Sequence, residues 1–204
     1  LLASRRAANL KHDSTVHGIT RNRRYNMQSI CVFCGSYVGA RVQYSVVARQ
    51  LGEELVRRNM QLVYGAGSIG LMGILADQVL ELGGRVVGVI PGYLSTQEVL
   101  HANLSQLHVT DSLLERKYLM MELADGFISL PGGIGTLDEL LEVYSWAQLG
   151  RHNKPIGLLN VCGYFDAFLE AIDHSIREGF TRTDYRRLLL VENEPEQLLK
   201  RMLD

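Results

Sequence analysis

Cysteine is scarce in this chain. Of 204 residues only Cys31, Cys34 and Cys162 carry a thiol, too few and too odd in number for a disulfide framework, so a reducing compartment is favoured and the cytoplasm is the expected address. Long apolar runs are also missing. Although 47% of the residues are hydrophobic, none of the runs approaches the ~20 that a membrane-spanning helix needs, and no membrane partner is expected. Lysine is sparse as well. A pyridoxal-phosphate decarboxylase requires a Schiff-base lysine, and Lys11, Lys117, Lys154 and Lys200 all lack a setting that argues for one. Neither a cofactor nor a metal is expected.

Charge is unevenly distributed. Residues 1 to 29 hold six of the 21 basic residues against one of the 22 acidic ones, which leaves 15 basic and 21 acidic residues in the remainder. That acidic remainder argues against nucleic acid as a partner. The basic stretch has no hydrophobic periodicity, and Met27 stands just before the first strand-like run. Residues 1–28 are therefore expected to be a disordered or non-native leader, with a transit peptide as the weaker alternative. Residues 29–204 are expected to form a single domain, large enough to bury a substantial core.

From Ser29 onward short apolar runs alternate with helical patterns. Strands are predicted at Ser29 to Cys34, Leu62 to Tyr64, Arg85 to Ile90, Leu107 to Thr110, Gly126 to Leu130, Lys154 to Asn160 and Leu188 to Val191. Helices are predicted at Arg41 to Asn59, Leu71 to Leu82, Leu113 to Asp125, Tyr164 to Glu178 and Pro195 to Leu203, with one more after the glycine turn that follows Leu130. Ser112 and Glu115 read as a capping box. Such alternation implies an α/β fold, a Rossmann-like, doubly wound parallel sheet with helices on both faces, whose ligands bind beyond the carboxyl ends of the strands.

The chain is organised around Ser129 to Glu142, SLPGGIGTLDELLE. An apolar strand ends at Pro131, and Gly132, Gly133 and Gly135 turn directly into a helix. Glycines remove the Cβ atoms that keep an anion off the backbone, and a helix start offers unpaired N–H groups and a positive dipole end. The plainer reading makes Thr136 an N-cap and Glu139 its capping-box partner, and the two readings are compatible. Pro-Gly-Gly-x-Gly exceeds what a cap needs, so an anion, specifically a phosphate, is expected there.

Two other strand-to-helix loops are small or glycine-rich. Cys34-Gly35-Ser36 offers the Ser36 hydroxyl to a polar ligand, or is a plain turn. Gly65 to Gly70 matches G-x-G-x-x-G and includes Gly67 and Ser68, yet no carboxylate stands about 20 residues on to hold a dinucleotide ribose. A nucleotide other than NAD is the better fit. Cys31-x-x-Cys34 lies in a strand, where its two sulfurs point to opposite faces, and reads as core. Arg116 and Lys117 interrupt an apolar helix face, either snorkelling and pairing with a neighbouring Glu or reaching into the pocket.

Together FCGS, YGAGSIGLMG, Glu115-Arg116-Lys117 and above all PGGIGTLDE resemble the LONELY GUY (LOG) family of cytokinin riboside 5′-monophosphate phosphoribohydrolases, long mislabelled as lysine decarboxylases. The likeness runs through residues 29 to 204. It implies a Rossmann-like homodimer that hydrolyses the N-glycosidic bond of adenine-type nucleoside 5′-monophosphates, with Arg116 and Glu139 as the catalytic pair. Ala66 departs from the family's YGGG. The chemistry agrees, because breaking the bond builds positive charge on the ribose, which a carboxylate at Glu139 would stabilise while it handles a water. Substrate binding is expected from Ser36, Gly67, Ser68, Lys117, Gly132, Gly133, Gly135 and Thr136. A nucleotide or cofactor carrier of the same fold, without hydrolysis, is the rival reading.

Overall fold

The computed structural model describes residues 27–95 and 100–204. Residues 1–26 of the basic leader lie outside the described residues, but its last two differ from the expectation. Met27 is buried in the core, and Gln28 donates its N–H to Asp125 Oδ2 at 2.8 Å and accepts from the Gln61 N–H at 2.8 Å, so the described fold starts at Met27. Among the described residues seven strands, β1 (Ser29–Phe33), β2 (Gln61–Tyr64), β3 (Val86–Pro91), β4 (Gln106–Thr110), β5 (Gly126–Ser129), β6 (Ile156–Leu159) and β7 (Leu189–Glu192), alternate with six α-helices except that β4 follows β3 directly. The helices are α1 (Val42–Arg57), α2 (Gly70–Glu81), α3 (Leu113–Leu123), α4 (Ile134–Gln148), α5 (Asp166–Arg177) and α6 (Pro195–Leu203).

All strand pairs are parallel, in the order β4-β3-β2-β1-β5-β6-β7. The chain winds outward from β1 to β4, then returns to lay β5 against the other side of β1. The winding direction reverses there, between β1 and β5, and the loops leaving these two strands diverge to opposite faces and open a crevice.

Side chains alternate across β1. Ile30 and Val32 join the core under α1, α2 and α6, while Cys31 and Phe33 join the one under α3, α4 and α5. Cys34 falls in the first core and Cys31 in the second, so the C-x-x-C pair is split between the two faces. Both strands that border the crevice, β1 and β5, are buried throughout, as strands covered on both faces must be.

The start of α3 carries the expected cap, with the Glu115 N–H donating to Ser112 Oγ at 3.1 Å and Glu115 Oε2 accepting from the Asp111 N–H at 2.9 Å. The start of α4 differs from the expectation. Its N-cap is Gly133, so Thr136 is the third residue of the helix and Glu139 the sixth, and the two form no capping box. Two glycines without apolar side chains hid the first turn. At the other end of the chain α5 begins at Asp166, two residues later than expected, after a 3-10 turn at Val161–Gly163. Among the described residues no helix is long and apolar enough to cross a membrane.

Candidate active site

The crevice at the reversal point is a cleft of ≈ 420 Å³. The β1–α1 loop forms one wall with Ser36 and its neighbours, the β5–α4 turn from Pro131 to Thr136 forms another, and Arg116 and Glu139 reach in from α3 and α4.

Two helices begin near this cleft, and their starts differ. At α2 the N–H groups of Leu71 and Met72 both donate to the Gly35 carbonyl, at 3.0 and 3.4 Å. Protein thus already occupies that helix end. Glycines here serve packing: a methyl group on Gly70, whose φ is +64°, would stand 2.2 Å from the Ser36 carbonyl carbon, and one on Gly73 would stand 2.1 Å from the Ser68 oxygen. Neither Gly67 nor Ser68 lines the cleft. The G-x-G-x-x-G loop is accordingly a packing device that seats α2 against the β1–α1 loop. Ala66 adopts φ +65° there, the left-handed region that a glycine fills without strain.

At α4 the N–H groups of Ile134, Gly135 and Thr136 precede the first intrahelical bond, Leu137 N–H to the Gly133 carbonyl at 3.2 Å. Methyl groups on Gly133 or Gly135 would meet nothing within 4 Å, and neither residue has a left-handed φ. Protein packing makes no demand for glycine at these positions, which face open cleft. Gly132 is different, because a methyl group there would lie 2.1 Å from the hydroxyl of the buried Thr136 and 2.7 Å from the Gly35 nitrogen. Gly35 closes the seam with its N–H on the Pro131 carbonyl at 3.1 Å.

Arg116 crosses beneath the sheet's carboxyl edge. Its Nε donates to the Val89 carbonyl at 3.0 Å, which aims the guanidinium, and its Nη2 lies 3.7 Å from Glu139 Oε1, a charge contact longer than a hydrogen bond. Gly65 makes that path available, since a methyl group there would be 2.1 Å from Nη2. Both side chains are largely buried, 11% and 14% exposed. Lys117, one residue on and about 100° around the helix, points elsewhere: its Nζ lies 2.5 Å from Glu142 and 3.1 Å from Asp138, outside the cleft. Burial works to lower its pKa, but hydrogen bonds and charge from Glu142 and Asp138 prevail and hold the ammonium above its ordinary value. A Schiff-base lysine needs the opposite shift, and Lys154 is committed too, donating to the Met121 carbonyl at 2.6 Å. Cys34 reaches the cleft, but burial and then the nearby Glu139 charge push its thiol far above the ordinary value, which leaves it inert as a nucleophile.

Of the residues expected at the site, Ser36, Arg116, Gly132, Gly133, Gly135, Thr136 and Glu139 share the cleft, while Gly67, Ser68 and Lys117 do not. Sequence reasoning missed the apolar and aromatic lining, Tyr37, Tyr44, Met72 and Tyr164. Tyr37 and Tyr164 sit in loops that leave the carboxyl ends of β1 and β6, where the strand-end rule already directed attention.

Fold and site together define a Rossmann-type α/β protein with an arginine–glutamate pair beside an open, glycine-lined helix start. Residues 72–202 match the family model described as "Possible lysine decarboxylase". The chain is 47% identical over 180 residues to the cytokinin riboside 5′-monophosphate phosphoribohydrolase LOG of Oryza sativa subsp. japonica, covering 88% of this chain and 74% of that protein. It is 46% identical over 175 residues to LOG1 of Arabidopsis thaliana, with 86% and 82% covered. The chain belongs to the LOG family. Among solved structures it resembles the molybdenum cofactor binding protein of Rippkaea orientalis, with a TM-score of 0.65 at 21% identity and 88% and 99% of the two chains covered. At that identity the likeness speaks to the fold alone.

Proposed function

We propose that this chain hydrolyses the N-glycosidic bond of adenosine 5′-monophosphates, N6-modified or not, giving free base and ribose 5-phosphate. The carrying observation is the Arg116–Glu139 pair, its Glu139 about one and a half turns into α4, whose first N–H groups open onto the cleft. The amides of Gly133, Gly135 and Thr136 would receive the 5′-phosphate, favoured by the helix dipole. That fixes the ribose against Glu139. As the base leaves with the bond's electron pair and takes up a proton from solvent, C1′ becomes cationic, and the Glu139 carboxylate stabilises it, orients the water that attacks and accepts the proton that water loses. Arg116, held by Val89, orders the carboxylate and contacts the sugar or phosphate. The names of the curated relatives support this reaction over a carrier role. Base-release assays test it: turnover of AMP or an N6-modified AMP with little or none of the matching nucleoside is expected, and equal turnover of adenosine would refute it.

We further infer a homodimer formed through α3 and α4, in the cytoplasm. Leu114 and Tyr118 are 67% and 51% exposed, and with Trp146 they line an apolar groove between these helices. Sedimentation should return twice the chain mass, and a Leu114→Glu variant should run as a monomer. Free thiols at all three cysteines support the compartment. We infer too that residues 27–204 suffice for catalysis, with Met27 in the core and Gln28 bonded to Asp125 and Gln61, so deletion of residues 1–26 should leave turnover unchanged.

A further inference from the structure

We propose that Tyr164 is a positioning residue for the glycine turn, holding the peptide plane whose N–H receives the substrate's phosphate. This rests on the reading of that turn as the phosphate site. The Tyr164 hydroxyl donates to the Gly132 carbonyl across 32 residues of sequence. That carbonyl and the Gly133 N–H belong to one peptide unit, and no peptide bond is cis among the described residues. Fixing the oxygen therefore fixes the N–H on the opposite side of a rigid plane.

The turn needs such a restraint. Gly133 has open space around it and, like Gly132 before it, no side chain, so on its carboxyl side nothing packs against the plane to hold its orientation. A flipped plane would aim a carbonyl oxygen where the anion binds. The bond also occupies the negative end of the peptide dipole, which would otherwise repel phosphate.

Tyr164 itself is firmly placed. The Asn160 side chain accepts from the Phe165 N–H at 2.7 Å and donates to Asp166 at 2.7 Å, bracing the turn after β6. Within that turn Cys162 and Gly163 take φ of +55° and +72° in succession, a left-handed pair that is strained at Cys162. The ring stands edge-on to Tyr44 and Phe165, with centroids 5.9 and 5.1 Å apart. At 38% exposure Tyr164 lies where water is at hand, so avoiding an unsatisfied buried group does not explain the bond.

Tyr164→Phe removes the hydroxyl and keeps both ring contacts. Steady-state kinetics on AMP should show KM raised roughly fivefold to tenfold, the size expected for one lost neutral hydrogen bond, with kcat within about twofold. The inhibition constant of inorganic phosphate should weaken by the same factor, that of free adenine should not move, and melting should stay within about 2 °C of wild type. Unchanged phosphate inhibition would overturn the proposal, and so would equal weakening of adenine and phosphate, the mark of a generally damaged cleft. If wild-type enzyme ignores phosphate altogether, the turn is not an anion site, and the reading beneath the proposal falls with it.

Discussion

Replacing Glu139 by glutamine keeps the side chain's shape and removes its charge. Glu139 is the sixth residue of α4, beyond its first turn, so its replacement removes no N-cap. Among the interactions changed is the charge contact with Arg116 at 3.7 Å. At an effective dielectric of about 20 its gross attraction is about 4 kcal/mol, most of which is cancelled because desolvating the carboxylate no longer opposes folding. The guanidinium keeps the Val89 carbonyl. A net stability change of about 1 kcal/mol follows, or 2–4 °C in melting temperature for a chain of this size. Turnover should respond on another scale. A neutral amide cannot take a proton from water or offset the ribosyl cation, and losing such a group costs roughly 10²-fold or more, about 2.7 kcal/mol of barrier. The assay is a thermal melt and base release from AMP on one preparation, with AMP binding followed separately and expected to persist. A variant that keeps more than about a tenth of wild-type turnover would refute the role given to Glu139.

Gly65→Ala should lower turnover at least about tenfold with a loss of stability of about 1–2 kcal/mol, because the added methyl meets the Arg116 guanidinium at 2.1 Å and pushes it off its places beside the Val89 carbonyl and Glu139 without moving backbone; a base-release assay and a melt on the variant check this. Gly133→Ala should melt within about 2 °C of wild type, since the methyl enters empty space, yet raise KM for AMP several-fold by crowding the anion site. Unchanged KM there would count against phosphate binding at the turn. Burial lowers the pKa of His152 below its ordinary 6.5, and its neutral ring already accepts the Lys154 N–H at 3.2 Å while bonding the Val143 carbonyl at 2.9 Å. Above pH 6.5 the ring is neutral in both folded and unfolded chains, so its contribution is complete; below that the unfolded chain takes up a proton that the folded one resists, and stability falls. His152→Gln should flatten the decline in melting temperature between pH 6.5 and pH 5, followed by calorimetry across that range.

Strand and helix order was legible because buried parallel strands read as short apolar runs and α6 begins at Pro195. The start of α4 was not, since glycines carry no periodicity and Thr136-x-x-Glu139 imitates a capping box. The two glycine loops look alike in sequence and differ in the fold. One is filled by Gly35 and Arg116, and the other is left open. Which of Arg116 and Lys117 turns inward depends on where α4 lays its carboxylates, a tertiary fact. The hydrogen bond from Tyr164 to Gly132 joins loops after different strands, and no local pattern encodes it.

The contacts of Gly35 bear on how a ligand enters. Its carbonyl holds the start of α2 and its N–H holds Pro131, so the loops on either side of the reversal point are stapled to one another. Beneath them β1 and β5 are hydrogen-bonded neighbours at the centre of the sheet. Among the described residues the two walls of the cleft are thus tied together by backbone hydrogen bonds above and below, not joined through a flexible linker. Association should therefore follow a single bimolecular step, linear in substrate concentration with no slow isomerisation phase, and scattering profiles with and without AMP should superimpose.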